Sequence, residues 1–209
     1  MDNMSSKTGS EFYYVGLSLA SNSSHISSVC IIDNNKEVVL LDKLYFTDDI
    51  KLFFEKSPYI RNSIVMAGLT PDESLLDGKW RIHSKNYKIL EGKFEVNRNN
   101  WTNRLNDRLK DLFLELDKEK CTIYRCNTNL LRQSYGLKAD YLEKTSLDCK
   151  NFQAGLKIKY GFSNMPDNLL PAASLEAILC ALFAYDIRHK NVSCKEISEF
   201  CGIKVLNRI

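Results

Sequence analysis

The sequence is poor in the residues that mark several large functional classes. It has nine glycines in 209 residues, and none belongs to a GxxxxGK[ST] or GxGxxG loop, so the backbone cradle for nucleotide phosphates is missing. Its three histidines, His25, His83 and His189, stand apart, and no Ser-His-Asp or Cys-His spacing accompanies them. That leaves nucleophilic hydrolase chemistry without a signature. There is no CxxC pair, so a zinc ribbon has no ligand set. No apolar run approaches the roughly 20 residues of a membrane span; the longest lies around 177–185, and no membrane partner is expected. Residues 1–11 are polar with no apolar h-region, and are expected to be a disordered tail rather than a signal peptide.

What is present is an ordinary globular mixture, 44% hydrophobic and 26% charged. The length suits one buried core. The expected organisation is the tail followed by a single domain over 12–209, with a long insertion at about 70–100. Seven cysteines, an odd number, are scattered as Cys30, Cys121, Cys126, Cys149, Cys180, Cys194 and Cys201. Several sit in apolar runs, where a thiol behaves as a small core residue, so a reducing cytoplasmic setting is expected. The formal charge is +3, unevenly spread: residues 79–110 hold nine Lys/Arg against three Asp/Glu. That segment interleaves Lys79, Trp80, Arg81, Lys85 and Lys88 with further aromatics, followed by Arg104 and Arg108. Cations that grip phosphates and rings that stack on bases make these seven residues candidates for binding nucleic acid.

Strand formers and turn signals predict strands at 12–20, 27–32 and 37–46, an antiparallel meander because the links are short. A short helix at 50–56, capped by Asp48 or Asp49, precedes a strand at 63–69 that is free to join in parallel. No clean period runs through 70–100. The apolar stripe Trp101, Leu105, Leu109, Leu112, Phe113 and Leu116 predicts a helix over 101–116. A strand at 121–127 and a short helix at 130–135 follow, while 138–168 shows no assignable pattern. Residues 174–187 are apolar on nearly every side, which predicts a helix buried all round. The capping-box pattern Ser193-Cys194-Lys195-Glu196 predicts a last short helix closed by Gly202.

Four segments carry a family resemblance. The strand ending Gly16-Leu17-Ser18-Leu19-Ala20 is similar to a Gly-Ile-Asp-Leu-Ala strand, with Ser18 in the Asp position. Ile64-Val65-Met66-Ala67-Gly68-Leu69 is similar to an Ile-Asp-Ala-Pro-Leu strand, with Met66, or Ala67 under a one-residue slip, replacing the acid. Ile123-Tyr124-Arg125-Cys126-Asn127-Thr128 resembles a Tyr-Glu-Val-His-Pro segment, placing Arg125 at the Glu and Thr128 at the Pro. The helix beginning Ser174-Leu175-Glu176 resembles a late helix that offers Asp where Glu176 stands. In this order the chain resembles the ribonuclease-H-like superfamily, and within it the predicted nucleases of domain-of-unknown-function family 429.

That resemblance implies an α/β fold, a mixed sheet of an antiparallel three-strand meander plus parallel strands, flanked by helices. It also implies an acid cluster holding two Mg²⁺ ions about 4 Å apart for phosphodiester hydrolysis. Here Ser18, Met66 and Arg125 stand at former acid positions, and Glu176 alone keeps a carboxylate. A hydroxyl, a thioether and a guanidinium are not hard anionic ligands. The expectation is a ribonuclease-H-like protein with a degenerate active site, non-catalytic, binding nucleic acid or a protein partner, with no metal or cofactor. One alternative is a divergent Mg²⁺- or Mn²⁺-dependent nuclease in which Glu176 is catalytic alongside Asp72, Glu73 or Asp77. The other is a protein-interaction scaffold. Glu176 itself reads in two ways, as a half-exposed residue of the helix's first turn or as a pocket-lining group. Arg125 is weighed as its partner across the pocket.

Overall fold

The computed structural model describes residues 12–19, 27–69, 121–138, 145–200 and 203–209. The expected tail, the excursion at 70–100 and the helix at 101–116 lie outside them. Strands β1 (Tyr13–Leu19), β2 (Ser27–Ile32) and β3 (Val38–Leu44) pair antiparallel, as their short links require. The β2–β3 turn is organised by Asp33, whose Oδ1 accepts the backbone N–H of Asn35 and of Glu37, each at 2.8 Å. Helix α1 (Thr47–Lys56) then crosses to the opposite face of the sheet from the last helix. Its Asp49 accepts the N–H of Phe46 at 2.9 Å from inside the first turn, so the carboxylate caps from the third helical position rather than from the N-cap. Strand β4 (Ser63–Leu69) returns parallel to β1, and β5 (Cys121–Asn127) lies parallel to β4.

Helix α2 (Thr128–Ser134) begins directly at the end of β5, because Asn127 Oδ1 accepts the N–H of both Asn129 and Leu130, at 3.0 and 3.1 Å. This start is two residues before the expected one. Helix α3 (Ser146–Tyr160) occupies part of the stretch whose sequence showed no pattern. Its buried stripe is Cys149, Phe152, Gln153 and Leu156, a helical spacing disguised by a thiol and an amide. Gln153 is satisfied there by donating to the carbonyls of Pro166 and Asn168 and accepting from the N–H of Leu170. Helix α4 (Ala172–His189) is buried on nearly all sides, as its apolar sequence demands.

The expected final helix is a β-hairpin instead. Strands β6 (Cys194–Phe200) and β7 (Ile203–Arg208) pair antiparallel, and β7 joins β5 in parallel at Arg125↔Val205. Glu196, the supposed capping residue, bonds Lys204 Nζ across the hairpin at 2.8 Å. Burial of Ile203 and Val205 with Lys204 exposed is a period of two, and sheet pairing overrides the local capping signal. The finished sheet has the order β3-β2-β1-β4-β5-β7-β6.

Side chains alternate between two cores. Tyr14, Cys30, Ile32, Ile64, Met66 and Cys126 face α2, α3 and α4. Val15, Leu17, Val29, Ile31, Val65, Ala67 and Ile123 face Ile50 and Phe54 of α1. No helix among the described residues is long and apolar enough to cross a membrane.

Candidate functional site

Strands β1, β4 and β5 run the same way and end together, so their last residues form a mouth at one edge of the sheet. Strand pairing fixes which side chains share it. Ser18 is in register with Ser28 on β2 and with Gly68 on β4, and Gly68 with Cys126 on β5. Residues paired directly across strands point to the same face. The row Ser28, Ser18, Gly68, Cys126 therefore meets the first half of α4.

Each member of the row finds a counterpart on that helix. Ser28 Oγ lies 3.2 Å from Ser174 Oγ, and Ser18 Oγ donates to Glu176 Oε2 at 2.9 Å. Cys126 Sγ and Cys180 Sγ are 3.6 Å apart. At Gly68 a Cβ would stand 2.7 Å from Cys180 Sγ and 2.5 Å from Thr128 Cγ2, so the missing side chain gives the thiol its place. The bond with Cys126, with burial second, pushes the Cys180 thiol well above its ordinary pKa. Burial alone does the same at Cys30.

Glu176 is the fifth residue of α4, beyond the first turn, and it is 7% exposed rather than half exposed. Ser18, its donor, is 4% exposed. A buried carboxylate oxygen that loses a donor bears part of its desolvation cost, so Ser18→Ala is expected to destabilise the fold by about 1–3 kcal/mol. Urea denaturation at unchanged slope would measure it.

The structure thus brings Ser18 and Glu176 together. Met66 is placed elsewhere: it pairs with Gly16, one row deeper, and is fully buried beneath α4. The β4 residue level with Ser18 is Gly68, two positions beyond Met66. Ala67, the slipped alternative, faces the α1 core. Arg125, 1% exposed, shares the parity of Cys121 and Ile123 and so lies on the α1 face, opposite Glu176. Thr128 is buried at the start of α2. Lys79, Trp80, Arg81, Lys85, Lys88, Arg104 and Arg108 lie outside the described residues, as do Asp72, Glu73 and Asp77. Ser28, Ser174, Gly68, Cys126 and Cys180 escape the sequence reading because only strand register, which no local pattern encodes, puts them in one row.

Comparison with solved structures finds T. thermophilus RuvC in complex with a Holliday junction substrate, at a TM-score of 0.51 over 85% of this chain and 96% of that one. The fold is ribonuclease-H-like. A second match, the Thermus thermophilus RuvC structure, has a TM-score of 0.46 and 9% identity. At 10% identity even the first is a likeness of fold alone. No family model and no curated protein matches the sequence.

The ribonuclease-H-like frame raises the question of divalent metal at the mouth. The row offers two hydroxyls, a glycine and a thiol, and α4 adds Ser174, Glu176 and Cys180. Among the described residues no group of three or more His, Cys, Asp or Glu is placed to hold a metal ion. Mg²⁺ takes hard oxygen ligands and favours carboxylates. The donor set of this row does not fit a pair of such ions.

Proposed function

We propose that this chain is a non-catalytic ribonuclease-H-like protein that binds nucleic acid across the mouth of its sheet. One observation carries the reading. At the strand position where the resembled nucleases keep an acid, Ser18 donates a hydrogen bond to Glu176, the carboxylate that the late helix retains. A hydroxyl donates to a carboxylate where a second carboxylate would repel it unless a proton or a cation lay between the two. The preference for nucleic acid over other partners draws on the basic, aromatic-rich segment 79–110 and on the fold shared with a RuvC held on a Holliday junction. The link to the family-429 nucleases rests on the four short segments and the fold they imply.

The test uses the full chain with four-way junction, duplex and single-stranded DNA. Binding through about four phosphate contacts is expected to weaken roughly 10²-fold between 50 and 200 mM salt. No cleavage is expected with Mn²⁺, from the parent or from Glu176→Ala. Mn²⁺-dependent cleavage that Glu176→Ala abolishes would overturn this reading in favour of a divergent nuclease. Failure to bind any of the three DNAs at low salt would overturn it in favour of a protein-interaction scaffold.

A further inference from the structure

We propose that Cys126 and Cys180 form a modification site, oxidised by a small-molecule disulfide to an intramolecular disulfide that ties β5 to α4 beside Glu176. The two thiols come from different elements, the next-to-last residue of a strand and the middle of a helix, yet their sulfurs are 3.6 Å apart. A disulfide needs about 2.05 Å between sulfurs, so side-chain rotation must close roughly 1.5 Å. Gly68 leaves the space in which the Cys180 sulfur sits, since a Cβ there would stand 2.7 Å from it. Among the described cysteines the alternatives are worse placed. Cys121 belongs to the opposite core, Cys149 lies on α3, and Cys194 is exposed on the edge strand. Cys30 shares the α4 face and is near enough to act on the Cys180 thiol, but the hydrogen bond to that thiol comes from Cys126.

The chemistry balances with the named oxidant. The thiolate of one cysteine attacks the disulfide RSSR and expels one RSH, leaving a mixed disulfide. The second cysteine then displaces the other RSH. Two electrons pass to the reagent, and the two thiol protons leave on the two RSH molecules. Both cysteines are at most 1% exposed, so the reaction waits on opening of the mouth and is slow. Once formed, the bond holds α4 one helical turn from Glu176 and so holds the Ser18–Glu176 contact closed.

The experiment exposes the full-length native protein to oxidised glutathione, alkylates the remaining thiols in denaturant and maps peptides by mass spectrometry. The expected product links the peptide of Cys126 to that of Cys180 with the loss of two hydrogens, while Cys194 carries a glutathione adduct. The linked form is expected to melt about 10 °C higher, because the bond closes a long loop, and reduction should reverse the shift. Cys180→Ser preserves size and should fold, losing both the link and the shift. Recovery of Cys126 and Cys180 fully alkylated under conditions that modify Cys194 would overturn the proposal. So would a link from Cys180 to Cys30, a link that forms only in urea, or an undiminished melting shift in Cys180→Ser. None of these outcomes depends on whether the protein binds nucleic acid.

Discussion

Gly16→Ala is expected to cost at least about 3 kcal/mol of folding stability, at or above the upper end of ordinary overpacking. The reason is the closeness of α4 to β1. A Cβ at Gly16 would stand 1.9 Å from the carbonyl oxygen of Ala177 and 2.3 Å from the backbone nitrogen of Ala181. Both obstacles are main chain, so no rotamer change relieves them and the helix itself must lift. Lifting it separates Ser18 from Glu176 and Ser28 from Ser174, and uncovers Met66. For a domain with about 5–15 kcal/mol in total, such a loss is a large share of the stability and moves the unfolding midpoint clearly down. Urea titration followed by far-ultraviolet circular dichroism measures the midpoint. Gly161→Ala is the control. Its φ of 78° disfavours a side chain, but nothing lies within 4 Å of the added carbon, so a cost of only about 1–2 kcal/mol is expected. If Gly16→Ala proved as mild as Gly161→Ala, the close approach of helix and strand would be wrong.

Asp148→Ala is expected to cost about 3–5 kcal/mol, because it strands a buried cation. Arg132 Nη1 donates to Asp148 Oδ2 at 2.9 Å and Nη2 donates to Oδ1, a two-pronged contact that joins α2 to α3. The same guanidinium donates through Nε to the carbonyl of Leu137 at 3.1 Å and lies 4.3 Å over the ring of Phe152. Asp148 is 1% exposed and Arg132 7%, so water cannot take the place of the lost carboxylate. Replacing both partners by apolar residues, Arg132→Met with Asp148→Leu, should recover most of the loss, since no charge is then left buried alone. The single and double variants are compared by thermal and urea unfolding. A double variant as unstable as Asp148→Ala would show that the site needs its polarity for another reason.

Much of this architecture is written in local sequence. The strands at Ser27–Ile32, Ser63–Leu69 and Cys121–Asn127 follow from β-branched and aromatic runs bounded by turn residues, and α4 from an unbroken apolar helix. The reading fails where burial runs against residue type. In α3 the inward stripe includes Gln153 and is bordered by Asp148, while Ile158 is 86% exposed, so the apolar period is scrambled. Polar groups go inside there because partners on other elements satisfy them, which a single helix cannot announce. At 193–196 a genuine capping pattern loses to hairpin pairing, because an edge of the sheet beside β5 is available only once the sheet exists.

The site divides in the same way. Ser18 and Glu176 are legible, one at the end of a strand and the other as a lone carboxylate on an apolar helix. The places of Met66 and Arg125 are not. A parallel strand slides past its neighbour without any change in its own sequence, and with a period of two a single step sends a side chain to the other face. The sequence therefore determined the apolar α4 and the scarcity of acids at the resembled motif positions by residue chemistry, and pointed to the class of fold through the order of its elements and the resemblance of four segments. Only three-dimensional pairing decided that Gly68 rather than Met66 lies level with Ser18, that Arg125 turns away from Glu176, and that two thiols meet beside it, because register and packing are set between segments rather than within them.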